Sequence, residues 1–66
     1  MDHVMLARTF QKYAELVALQ TEIEGMKVAN AERDLLSEAP AYPESEFMRM
    51  AKEINYVAEQ LYGMSL

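Results

Sequence analysis

No cysteine occurs among these 66 residues, which excludes a disulfide framework and any thiolate metal site. Histidine appears once, as His3, so a zinc centre has too few ligands; no metal and no cofactor is expected. Glycine is nearly as scarce. Gly25 and Gly63 are the only two, and they lie too far apart to form a phosphate-cradling loop. Basic residues are outnumbered, six against eleven acids for a net charge of −5. They are also scattered, as Arg8, Lys12, Lys27, Arg33, Arg49 and Lys52. Phosphate backbones are bound by clustered Lys and Arg, so no nucleic-acid partner is expected. Eleven acids offset by six bases also fall short of a duplex mimic, which needs about one charge per 1.7 Å. Finally, no apolar run is long enough for a membrane span and no signal-peptide pattern opens the chain. No membrane partner is expected, and a reducing cytoplasm is the expected location.

Catalytic groups are missing in the same way. Enzymes need a nucleophile with a base, a pair of tuned acids, or a metal. The lone His3 stands beside the first methionine. The pairs Glu22/Glu24 and Glu44/Glu46 are two positions apart, so on a helix their carboxylates diverge. The chain is therefore expected not to be an enzyme.

What the chain has in quantity is residues that favour helix. From Asp2, a candidate N-cap, to Leu36, good helix formers run almost without interruption. Two apolar stripes lie on this stretch at steps of three and four. One is Leu6, Phe10, Tyr13 and Val17, resuming after Gln20 and Glu24 as Val28, Ala31 and Leu35. The other is Leu16, Leu19, Ile23 and Met26, about a third of a turn away. One neighbour needs one stripe; two stripes imply two neighbours. Gly25 reads as a tolerated small residue inside this helix. A real break there would permit a three-helix monomer instead.

Pro40 and Pro43 mark the connector Ser37 to Tyr42, because each biases the preceding residue away from helix. Pro43 suits the first turn of a second helix, and Glu44 and Glu46 favour its positive end. That helix carries a single stripe of Phe47, Met50, Ala51, Ile54, Val57 or Ala58, and Leu61. It should stop at Gly63, leaving Met64, Ser65 and Leu66 loose. Between Glu32 and Glu46 stand five acids and one base, a local charge of −4 at the turn end. The six methionines read as packing, whereas Tyr56 falls off the main stripe.

The fold class expected is all-α: one domain over 1–66, an antiparallel helical hairpin with helix 2–36, turn 37–42 and helix 43–62. At about 1.5 Å per residue the helices measure roughly 52 and 30 Å, so the second should cover the Leu19-to-Leu35 half of the first and leave about 20 Å without cover. Intrachain packing is assigned to Leu19, Ile23, Met26, Phe47, Met50, Ile54 and Leu61. An interaction surface is assigned to Met5, Leu6, Phe10, Tyr13, Leu16 and Val17. A chain this small without disulfides or metal gains stability from regular helix packing or from assembly, so a homo-oligomer, a dimer first, is the expected partner state.

The stretch LARTFQKYAELVALQTEIEGMKVA and the later AYPESEF leading into MAKEI resemble the small acidic early proteins of lambdoid bacteriophages. The resemblance covers most of the chain but carries no chemical motif. It implies a non-enzymatic helical hairpin made early in infection in the bacterial cytoplasm, modulating host physiology or the choice between lysis and lysogeny. The alternative is an inhibitor or antitoxin-like regulator whose exposed helix face docks on a host enzyme or transcription factor.

Overall fold

The computed structural model describes residues 3–65. It contains two helices, α1 (His3–Leu35) and α2 (Glu44–Ser65), packed as a hairpin about 53 Å long, 17 Å wide and 10 Å thick. The expected all-α hairpin is what forms. The N-cap assigned to Asp2 and the loose end assigned to Leu66 lie outside the described residues.

α1 is unbroken through Gly25, which has no positive φ. A Cβ built on Gly25 meets nothing within 4 Å. No other helix approaches it, and the helix simply tolerates the missing side chain. The three-helix alternative is therefore absent from the described residues.

The helix ends at Leu35 rather than Leu36, and how it ends is visible in the hydrogen bonds. Ser37 takes φ 57°, a left-handed conformation that L residues seldom adopt. Its N–H donates to the Asp34 carbonyl at 3.0 Å, and the Glu38 N–H donates to the Arg33 carbonyl at 2.8 Å. Together these form a Schellman closure, with Ser37 in the position where glycine is usual. Carbonyls that the helix end would leave unpaired are thereby satisfied.

The connector is also longer than expected, because Pro43 lies outside α2. Its carbonyl accepts from the Glu46 N–H at 3.0 Å, which makes Pro43 the cap and Glu44 the first helical residue. Glu44 and Glu46 then occupy the first turn, where carboxylates complement the helix dipole. A second device fixes the turn on α1. The Asn30 side chain donates from Nδ2 to the Tyr42 carbonyl and accepts at Oδ1 from the Tyr42 N–H, both at 2.9 Å. One side chain thus holds both backbone groups of a residue in the proline-bounded turn.

At the other end, α2 passes through Gly63 and continues to Ser65. The expected stop fails because Gly63 takes no positive φ and because Met64 has something to pack on. Met64 is half-buried, and the Thr9 hydroxyl lies 4.0 Å from its sulfur. Cover therefore extends along α1 from Asn30 to Thr9, not merely over Leu19 to Leu35. The stretch expected to lie bare shrinks to the turn and a half before Thr9.

Between those two ends the helices meet along a heptad seam. On α1 the seam runs through Met5, Thr9, Lys12, Leu16, Leu19, Ile23, Met26 and Asn30; on α2 it runs through Phe47, Met50, Ile54, Val57, Leu61 and Met64, all partly or fully covered. Steps of three and four alternate without interruption, the pattern of an antiparallel coiled coil. Yet the core is thin. Among the described residues Met26, Met50 and Val57 alone are buried, Met50 at 1 % exposure.

Candidate interaction surface

The inner stripe of α1 is the one through Leu16, Leu19, Ile23 and Met26. Leu6, Phe10, Tyr13 and Val17, a third of a turn away, point sideways from the hairpin and are exposed, Phe10 at 64 %. Phe10, Tyr13 and Val17 are exposed because they face the flank, not because they lie beyond the end of α2; Leu6 also falls in the stretch before Thr9. Two assigned surface residues change place as a result. Met5 and Leu16 are partly covered on the seam side, because their helical angle matches Leu19 and Ile23 rather than Phe10. Of the residues assigned to intrachain packing, Met26 and Met50 are buried, and Leu19, Ile23, Phe47, Ile54 and Leu61 are partly covered. Leu35, expected beneath α2, is 85 % exposed.

α2 contributes to the same flank. The Thr9–Met64 contact and the Asn30–Tyr42 bonds fix the register, which sets Tyr62 level with Phe10 and Ala58 level with Ala14. Tyr62, Ala58, Asn55 and Ala51 recur at steps of three and four and are all exposed. They lie on the side of α2 that adjoins the Phe10 stripe. Ala51 and the alternative Ala58, expected on the inner stripe, are exposed because their helical angle matches Tyr62 rather than Met50, and sequence reasoning left this half of the surface out. Its signal is present but weak, since two of its four members are alanines.

Charge sorts between the two flanks over the stretch from Leu6 to Gln20; Glu24, paired with Lys27 at 3.1 Å, ends the uncharged run on α1. The opposite flank is a groove lined by Lys12, Glu15, Glu22, Arg49, Lys52 and Glu53 over a floor of Ala18, Leu19 and Val57, with Tyr56 and Gln60 on its α2 wall. Four of these six ions are paired within a helix: Lys12 with Glu15 at 3.1 Å, and Arg49 with Glu53 at 2.7 Å and also with Glu46 at 3.0 Å. Glu46, first by its hydrogen bond and its charge, and then Glu53 hold the Arg49 guanidinium above its ordinary pKa. Tyr56, noted for lying off the main stripe, belongs to this wall. Gln60 is half-buried there, with its Oε1 buried and lacking a hydrogen-bond partner.

The Phe10 flank is different. Its positions are Leu6, Phe10, Tyr13, Val17 and Gln20 on α1 with Ala51, Asn55, Ala58 and Tyr62 on α2, and none of them is charged. An aromatic, uncharged face opposite a paired-charge face is the composition of an interface core, where charge is depleted and Tyr and Phe are enriched.

The total surface points the same way. The chain exposes 5209 Å², whereas a compact monomer of 7.6 kDa exposes roughly 4,300 Å². The excess is about 900 Å², close to what one partner buries in a standard interface, about 800 Å². The radius of gyration tells of the same openness, 15.7 Å against about 11 Å for a compact domain of this length.

Among the described residues no group of three His, Cys, Asp or Glu side chains could hold a metal ion, and no helix is long and apolar enough to cross a membrane. No family model, no curated protein and no solved structure matches the chain.

Proposed function

We propose that this protein is a non-enzymatic helical interaction module that works by burying its uncharged flank against another polypeptide. The observation that carries this reading is the exposed Leu6–Phe10–Tyr13–Val17 stripe beside a core of three buried residues. A two-helix layer has only one covered face, and stable domains stack at least two layers. A contiguous apolar patch left on a small chain marks a contact site. The paired charges of the opposite flank suit it to water and leave one face for the contact.

The resemblance to lambdoid early proteins supports a setting in the infected bacterial cytoplasm, with host physiology or the lysis–lysogeny choice as the process modulated. Recombination or repressor genes flanking this reading frame are the observation that checks that setting.

Phe10→Asp tests the module itself. Phe10 is off the seam, so the substitution leaves the hairpin contacts in place and puts a carboxylate in the middle of the flank. Burying an unpaired charge is prohibitive, and the variant should lose its partner and melt at a lower, concentration-independent temperature. Wild-type protein that stays monomeric at micromolar concentration both alone and in bacterial lysate, or whose association is unchanged by Phe10→Asp, would refute the proposal.

A further inference from the structure

Resting on that reading, we infer that the occupant of the uncharged flank is a second copy of this chain, packed face to face and antiparallel about a twofold axis near Tyr13. Three features converge on this occupant.

The first is self-complementarity. In a twofold contact the same patch meets itself, residue i against j and j against i, so a charge near the axis faces its own like charge and a charge farther out needs an opposite charge at its mate position. The flank positions of both helices, from Leu6 to Gln20 on α1 and from Ala51 to Tyr62 on α2, include no charged residue, so the patch can meet its own image without that conflict. Its relief also alternates, with Phe10, Tyr13 and Tyr62 projecting and Ala51 and Ala58 lying low. Projections of one copy can enter the low positions of the other.

The second is area. The chain's surplus of about 900 Å² over a compact monomer is what each partner of a standard complex buries, about 800 Å². Phe10, Tyr13 and Tyr62, side chains that bury roughly 150 to 250 Å² each from full exposure, are still 57 to 68 % exposed, and together with Leu6 and Val17 they supply about half of it. Packing two hairpins this way yields four helices around one core, with Phe10 and Tyr13 inside it.

The third is charge at the ends. The turn end bears the five acids between Glu32 and Glu46 against Arg33. A parallel pair would set these −4 ends side by side. An antiparallel pair sends them to opposite tips. The patch lies toward the other end of the hairpin, so matching it to itself offsets the two copies. Each turn end then overhangs its partner. With the axis at Tyr13, Phe10 of one copy falls against Val17 of the other. The particle measures about 75 Å from tip to tip at about 1.5 Å per residue, against 53 Å for one hairpin.

Small-angle scattering combined with sedimentation on the wild-type chain reads this directly and needs no variant. The expected result is a dimer whose maximum dimension is about 75 Å, the length set by the helical rise. A dimer no longer than the 53 Å of one hairpin would overturn the offset antiparallel arrangement. The absence of cysteine allows a second test with single-cysteine variants and a short bis-maleimide. Tyr13→Cys should give mostly cross-linked dimer, and Glu53→Cys, in the charged groove, almost none. Efficient cross-linking through Glu53→Cys instead would place the contact on the wrong flank and overturn the inference, while leaving self-association intact. A monomer that engages a different polypeptide and loses it on Phe10→Asp would overturn the second copy and keep the module. A monomer indifferent to Phe10→Asp would overturn both.

Discussion

Replacing Asn30 with alanine should destabilise the hairpin by about 2 kcal/mol, the worth of two hydrogen bonds. The side chain makes both of them at 2.9 Å, one to each backbone group of Tyr42. Each such bond contributes a net of roughly 1 kcal/mol. Tyr42 sits between Pro40 and Pro43, in a connector that neither helix supplies with backbone partners. Its N–H and C=O return to water when Asn30 is cut back, so the loss is that of two made bonds rather than of two buried orphans. For a domain of this size a change of about 1 kcal/mol moves the melting temperature by roughly 4 to 8 °C, which sets the expected drop at about 10 °C. The assay is thermal unfolding followed by helical circular dichroism, with wild type and variant at equal concentration, because assembly shifts the midpoint by mass action. Asn30→Asp sharpens the test. It retains an acceptor for the Tyr42 N–H, loses the donor to the Tyr42 carbonyl, and adds charge to an end that is already acidic, so it should melt close to the alanine variant. An alanine variant melting within about 2 °C of wild type, a fraction of 1 kcal/mol on that scale, would refute the idea that this clamp holds the turn.

Three further substitutions follow from the geometry. Gly25→Ala should stabilise α1 by about 1 kcal/mol, since the added methyl group meets nothing within 4 Å; urea titration reads the gain as a later midpoint with unchanged slope. Ser37→Gly should stabilise by about 0.5 to 1 kcal/mol, because φ 57° strains serine and not glycine, and the same titration measures it. Met50→Ala should cost about 2 to 5 kcal/mol, since Met50 is the most completely enclosed side chain among the described residues, at 1 % exposure; a variant that still melts cooperatively within a few degrees of wild type would contradict that.

The two stripes on α1 are plain in the sequence because leucine, isoleucine and aromatic residues recur at steps of three and four. Which stripe turns inward is harder to read. The Leu6–Val17 stripe is the more aromatic of the two and looks the longer, since it resumes at Val28. The inner one is disguised at its ends by Thr9, Lys12 and Asn30, polar residues that continue the seam at both ends of the Leu16–Met26 run. The helix ends diverge from expectation for similar reasons. Gly63 is a stop signal only where nothing rewards another turn, and Met64 against Thr9 does reward it. Ser37 holds the left-handed position because two backbone hydrogen bonds close around it, and serine gives no local sign of that. The half of the flank built by α2 escapes notice because Ala51, and Ala58 as an alternative to Val57, read as part of the inner stripe until the register sets Tyr62 beside Phe10.

Those polar seam positions also bear on why this chain would need company. Lys12 sits where a heptad wants an apolar side chain. Its ammonium turns out toward Glu15 at 3.1 Å, so only its stem can pack. Thr9 directs its hydroxyl back to the Met5 carbonyl at 2.8 Å, and Asn30 is committed to the turn. Each choice fixes register, as single polar residues do in coiled coils, at some expense in apolar burial. Three of the eight seam positions on α1 thus contribute little to the core, and the buried centre contracts to Met26, Met50 and Val57. A hairpin so constructed is specified more firmly than it is stabilised. The residues that would make up the difference lie on the flank. Phe10, Tyr13 and Tyr62 are the largest apolar side chains at that end of the molecule, and none is spent on the seam. If their burial in an assembly supplies what the seam lacks, folding and association are one equilibrium. A hundredfold dilution through the micromolar range should then lower the melting temperature of the wild type but not that of Phe10→Asp. Equal melting temperatures across that range in the wild type would mean that the seam alone suffices.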